Sequence, residues 1–65
     1  MIYFNDTELT IQGYKKILKV SEDEITFIIF KKTIIVTGNN LSIPFFENDE
    51  FKIKGLINNI QIYDN

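Results

Sequence analysis

The side chains in this chain with the greatest capacity for chemistry are carboxylates gathered in two runs, Glu22-Asp23-Glu24 and Glu47 with Asp49 and Glu50. Such groups can hold a calcium ion or divide acid and base roles between them. Neither run has the ligand spacing or central glycine of a calcium-binding loop. Acid–base work also needs a carboxyl in a desolvated cleft, whereas these sit among other charges in segments that read as polar turns. Ser21 and Ser42 have no histidine in the chain to activate them, and Gly38-Asn39-Asn40 is not a phosphate loop. Cysteine is absent too, which removes disulfides and, with histidine, the usual ligands of zinc, copper and haem. The expectation is a protein with no catalytic residue, cofactor, metal or small-molecule substrate, and therefore not an enzyme.

The same carboxylates set the charge balance. Nine acidic and seven basic residues leave a net charge of −2, and the pI is about 4.9. Every cation is a lysine, which argues against nucleic acid as a partner, since phosphate and guanine are read by basic faces and arginine forks. Lys15, Lys16 and Lys19, and the pair Lys31-Lys32, read as solvated edges or turns where lysine blocks strand pairing. At 65 residues the chain is one domain, 1–65, that buries only about 60% of its unfolded surface. With no disulfide available, packing or self-association must complete its stability. No segment has the pattern of a secretory signal, and the longest apolar run, Phe27 to Phe30, cannot span a bilayer. A cytoplasmic protein without a direct membrane span is expected.

The elements that position these side chains are strands. Alanine is absent while isoleucine, phenylalanine, threonine and tyrosine abound, a composition that disfavours helix. The only glycines close three similar units, Ile11-Gln12-Gly13, Val36-Thr37-Gly38 and Ile53-Lys54-Gly55. Each ends an apolar–polar alternation and precedes another, Ile17 to Val20, Leu41 to Ile43 and Ile60 to Ile62, so each glycine marks a bend, bulge or turn between strands. Gly38-Asn39-Asn40 reads as a turn, Asn58-Asn59 as a turn or bulge, and Pro44 as an edge or strand end. The runs Ile25–Phe30 and Thr33–Thr37 flank Lys31-Lys32 as a hairpin. This predicts an all-β fold, a small antiparallel barrel or sandwich of about six to seven short strands. A short β-solenoid is the alternative, although the unequal glycine spacing does not suit a fixed coil repeat.

The hairpin carries more apolar residues than one buried face requires. Ile25, Phe27 and Ile29 alternate with Ile28 and Phe30, and Ile34 and Val36 with Ile35; Phe45 and Phe46 follow Pro44. Ile28, Phe30, Ile35, Phe45 and Phe46 thus form a candidate interaction patch, the other reading being a strand buried on both faces.

The string Leu9–Ile25, with Gly13, Ile17 and Ile25 at its fixed points, resembles the YabP/YqfC family of bacterial sporulation proteins. Val36 to Ile43, containing Gly38, Leu41 and Ile43, is similar to that family's second glycine segment, and Phe51 to Ile60, containing Gly55 and Ile60, to its third. The likeness extends from Leu9 to Tyr63. It departs at the hairpin, where family members usually have a glycine and this chain has Lys31-Lys32-Thr33, at polar positions where lysine or threonine replaces arginine, and at a shorter N-terminus. The resemblance implies a non-enzymatic protein made in the mother cell of an endospore-forming bacterium, peripheral to the membrane around the forespore. There it would serve as an assembly or adaptor module for a membrane protein of the sporulation programme. A structural homo-oligomer that associates through apolar faces or edge strands is the alternative. The family offers glycines and core aliphatics, and no catalytic residues to carry over.

Overall fold

The computed structural model describes residues 1–5, the last by its backbone only, and 7–64. Among the described residues six strands make one sheet: β1 (Ile2–Asn5), β2 (Glu8–Gln12), β3 (Lys16–Val20), β4 (Glu24–Ile29), β5 (Lys32–Phe46) and β6 (Glu50–Asp64). Their order is β1-β2-β6-β5-β4-β3, and every pairing is antiparallel. The sheet does not close, since β1 and β3 end it. Antiparallel pairing throughout rules out the solenoid.

The alternation seen in the sequence places the core. Leu9 and Ile11 in β2, Ile25, Phe27 and Ile29 in β4, Ile34 and Val36 in β5, and Phe51 and Ile53 in β6 are all buried, with Leu41 beside them. Successive side chains of a strand point to opposite faces, so these period-two sets all turn one face of the sheet inward. Phe27 and Phe51, from different parts of the sheet, meet edge to face at 5.2 Å.

Two strands are far longer than expected: β5 and β6 have 15 residues each. Each continues through the segment where the sequence suggested a break. The first half of β5 pairs with β4 on one side, and the first half of β6 pairs with β2. The β5–β6 hairpin therefore crosses between the two parts of the fold and bends where it crosses.

Glycine permits the bend. A Cβ on Gly38 would lie 1.9 Å from the Leu56 carbonyl oxygen, and one on Gly55, where φ is +137°, would lie 2.6 Å from that of Asn40. The pairing shifts here as well: Thr37 faces Asn59 but Gly38 faces Ile57, which leaves Asn58 as an extra residue. Asn58 thus bulges, one of the two outcomes expected of it, whereas Gly38-Asn39-Asn40 is a kinked stretch inside β5 rather than a turn. Local polarity and tolerance of left-handed backbone serve either arrangement, which is why the residues alone suggested a turn. Pro44 falls near the end of β5, in a stretch paired only with β6 among the described residues. Between β4 and β5, Ile29 pairs with Lys32, so the loop is Phe30-Lys31, with φ of 51° and 63°. Two positive values define the tight turn suited to strand twist, although neither residue type favours it. Part of the turn expected at Asn5-Asp6 lies outside the described residues.

Candidate interaction surface

The three glycine units are three hydrogen-bonded corners. Gly13 N–H donates to the Asp49 carbonyl at 2.7 Å, Gly38 N–H to that of Asp23 at 3.1 Å, and Gly55 N–H to that of Thr7 at 3.4 Å. Leu41 N–H also donates to the Glu22 carbonyl at 2.8 Å. The two acidic runs therefore hold corners through their backbones, a use their side-chain chemistry did not suggest. Their carboxylates face separate partners: Glu24 takes a bond from Lys19 at 2.9 Å, Asp23 from the Ser21 hydroxyl at 2.8 Å, and Glu50 from Gln12 at 3.2 Å. Among the described residues, no group of three or more histidine, cysteine, aspartate or glutamate side chains is arranged to hold a metal.

The connection after Gly13 crosses the end of β4, where Lys15 N–H donates to the Ile28 carbonyl at 2.7 Å. This crossing frames an open depression of about 610 Å³ lined by Gly13, Tyr14, Lys15, Ile28, Phe30 and Lys31. Tyr14 is its fixed wall. Its ring packs edge to face on Phe51 at 4.8 Å and stands 6.1 Å from Phe46, and its hydroxyl donates to the Glu47 carbonyl at 3.0 Å. Opposite in character is Phe30, at the turn tip and 73% exposed, the most exposed of the large apolar side chains described. Lys15 and Lys31, both exposed, give the rim positive charge, and no carboxylate is among the lining residues.

The five patch residues do not form one surface. Ile28 and Phe30 share the depression, and Phe46 lies behind its wall against Tyr14. Ile35 is on the outer face of the sheet, diagonal to Ile28, because Ile28 pairs with Thr33 and Ile35 with Thr26. Phe45 points to the side opposite Phe46, where Lys52 Nζ lies 5.9 Å from its ring centroid. Tyr14 was not singled out in the sequence, although an aromatic placed just after a strand-ending glycine is a signal for such a wall. Of the aliphatics on which the sequence resemblance was drawn, Ile25 and Leu41 are buried and Ile17 and Ile43 pack against the core, but Ile60 is exposed.

Two ion pairs, Lys19–Glu24 and Lys32–Asp64, shift the titration of one member each. Hydrogen bonding to Glu24, reinforced by its charge, raises the pKa of Lys19 above the ordinary lysine value. Lys32, across the β5–β6 pairing, lowers that of Asp64 in the same two ways. Among the described residues no helix is long and apolar enough to cross a membrane. No curated protein matches the chain, and no solved structure does. The model of the YabP family does match it, over residues 1–65, and the chain, an antiparallel sheet bent at glycine corners, belongs to the YabP family.

Proposed function

We propose that this protein is a non-enzymatic, sporulation-associated β-domain that acts in the mother cell as an assembly module, docking a membrane protein at the surface around the forespore. The observation that carries the reading is Phe30. A phenylalanine at the tip of a two-residue turn, 73% exposed and in the left-handed region, gains little from folding and adds backbone strain of about 1–2 kcal/mol. Side chains of this kind serve as anchors when a partner covers them. Beside it, Ile28 and the Tyr14 wall supply apolar lining, and Lys15 and Lys31 a cationic rim. The partner segment that suits this surface has an apolar residue to fill the depression and acidic side chains around it. Family membership supports the sporulation setting.

The test is a photocrosslinking amino acid at position 30 of the full chain in sporulating cells, beside Phe30→Ala. The expected outcome is a crosslink to one membrane protein of the sporulation programme and fewer mature spores from Phe30→Ala. As an exposed substitution, it should leave the purified domain's stability within about 0.5 kcal/mol of the parent. A protein expressed independently of sporulation, with no membrane crosslink at position 30, overturns the reading.

A further inference from the structure

The free strand edges of this sheet are not alike. The β3 edge carries Lys16 and Lys19, charges that oppose pairing with another strand, and β1 is only four residues long. Two further edges remain, the second halves of β5 and β6; that of β5 carries Pro44, which lacks a ladder donor, and that of β6 has no proline. There β2 lies beside Glu50 to Lys54 only, so from Ile57 to Asp64 the strand has β5 on one side and, among the described residues, no strand on the other. No charged residue occurs from Gly55 to Tyr63.

The core runs out to this edge and stops uncovered. Ile62 pairs with Ile34 and Ile60 with Val36, so all four share the inward face. Yet Ile34 and Val36 are 2% and 0% exposed, while Ile62 and Ile60 are 60% and 41% exposed.

The pattern of the edge identifies what covers it. Reading outward from Gln61, Ile60 mirrors Ile62, Asn59 mirrors Tyr63, and Asn58 mirrors Asp64. In an antiparallel pair of two such strands with Gln61 opposite its counterpart, each Ile60 faces Ile62 of the second copy. Polar residues face polar residues, and the sole charge, Asp64, faces Asn58. Moving the centre to Ile60 sets Ile62 against Asn58, and moving it to Ile62 sets Ile60 against Asp64. A self-complementary edge is what a two-fold axis requires, because the same surface must serve both sides.

We infer that the outer edge of β6, Asn58–Asp64, pairs antiparallel with the same edge of a second copy about a two-fold axis at Gln61, joining two six-stranded sheets into one. Main-chain hydrogen bonds supply the attachment, and Ile60 and Ile62 fix the register. The edge is distinct from the depression at Phe30.

The chain has no cysteine, so a single introduced thiol reports on the axis. Cα atoms directly opposite in an antiparallel pair lie about 4.5–5.5 Å apart, within disulfide range. Under mild oxidation Gln61→Cys should give a disulfide-linked dimer, and Asn39→Cys, exposed elsewhere, should stay monomeric. Sedimentation equilibrium of the parent chain from about 10 μM to about 1 mM, the range in which a small interface fills, should show mass rising from monomer to dimer and no further. Ile62→Lys should remain monomeric with its circular dichroism unchanged, since the side chain it replaces is already largely in water. A parent chain that stays monomeric throughout, equal crosslinking of the two cysteine variants, or mass growing past the dimer through pairing of β6 with β1 each overturns the arrangement. The position-30 crosslink to a membrane protein should survive Ile62→Lys, so either proposal can fail without the other.

Discussion

Gly38 and Gly13 are both glycines at corners, and the reasons differ. At Gly13 the backbone has φ of +77°, and an added Cβ meets nothing nearer than 4.0 Å, so only the left-handed conformation resists substitution. Alanine there should cost about 1–2 kcal/mol. At Gly38 the obstacle is the Leu56 carbonyl in the adjoining strand, which cannot move without breaking the hairpin. Gly38→Ala should therefore cost at least about 3 kcal/mol, the upper end of overpacking, and leave much of the chain unfolded. Urea titrations of both variants decide the matter; equal midpoints would contradict the distinction. Asp64 offers a test by pH. Its carboxyl is held below the ordinary value by the hydrogen bond and charge of Lys32, so the pairing contributes above the unfolded-state pKa and is lost as pH falls through the folded one. Because both groups are exposed, the signature belongs in the titration rather than in stability. By NMR the Asp64 carboxyl should titrate at lower pH in the parent than in Lys32→Ala.

At the scale of elements, the bent β5–β6 hairpin depends on turns far from it in sequence. The turn after β3 brings the Glu22 and Asp23 carbonyls to Leu41 and Gly38, and it is shaped by Ser21, whose hydroxyl accepts the Glu24 N–H at 3.1 Å. Ser21→Ala removes that brace. A loss of about 1 kcal/mol is expected, with faster hydrogen exchange at Gly38 and Leu41 and little change at Ile11 in β2. Uniform acceleration over the sheet would mean that the turn supports the whole fold rather than this corner. The strands β2 and β6 were legible because Leu9-Ile11 and Phe51-Ile53 alternate cleanly with polar residues, and alternation with one buried face has a single solution; in β4 the added Ile28 left open which face is buried. The continuity of β5 through Gly38-Asn39-Asn40 was not legible, since whether such a segment turns or bulges depends on the strand beside it, here the Leu56–Ile57 stretch of β6. For the same reason Phe30 read as a strand residue. Its pairing neighbours Ile29 and Lys32 make it a turn tip, and only the crossing of Tyr14 and Lys15 over β4 gives it a depression to line.

At the scale of the whole molecule, typical stability per residue gives a domain of this length only about 3–10 kcal/mol. The core is ten buried apolar residues, with aromatic contacts centred on Phe51 and no disulfide or resolved metal cluster among the described residues to reinforce it. The same sheet leaves Ile60 and Ile62 in water on the face that buries Ile34 and Val36. Pairing of two β6 edges covers them, and by mass action anything that binds the folded chain alone raises its stability in proportion to the logarithm of concentration. The melting temperature of the parent should therefore climb by a few degrees for each tenfold increase in concentration once the dimer is populated, given a change of about 4–8 °C per kcal/mol in a domain of this size. Ile62→Lys should melt at one temperature throughout, close to that of the dilute parent, because it loses the partner and little else. A parent whose melting temperature ignores concentration while sedimentation finds a dimer would mean that the two copies meet in the unfolded state as readily as in the folded one. Strand pairing that requires the inward face of β6 to be already formed does not allow that.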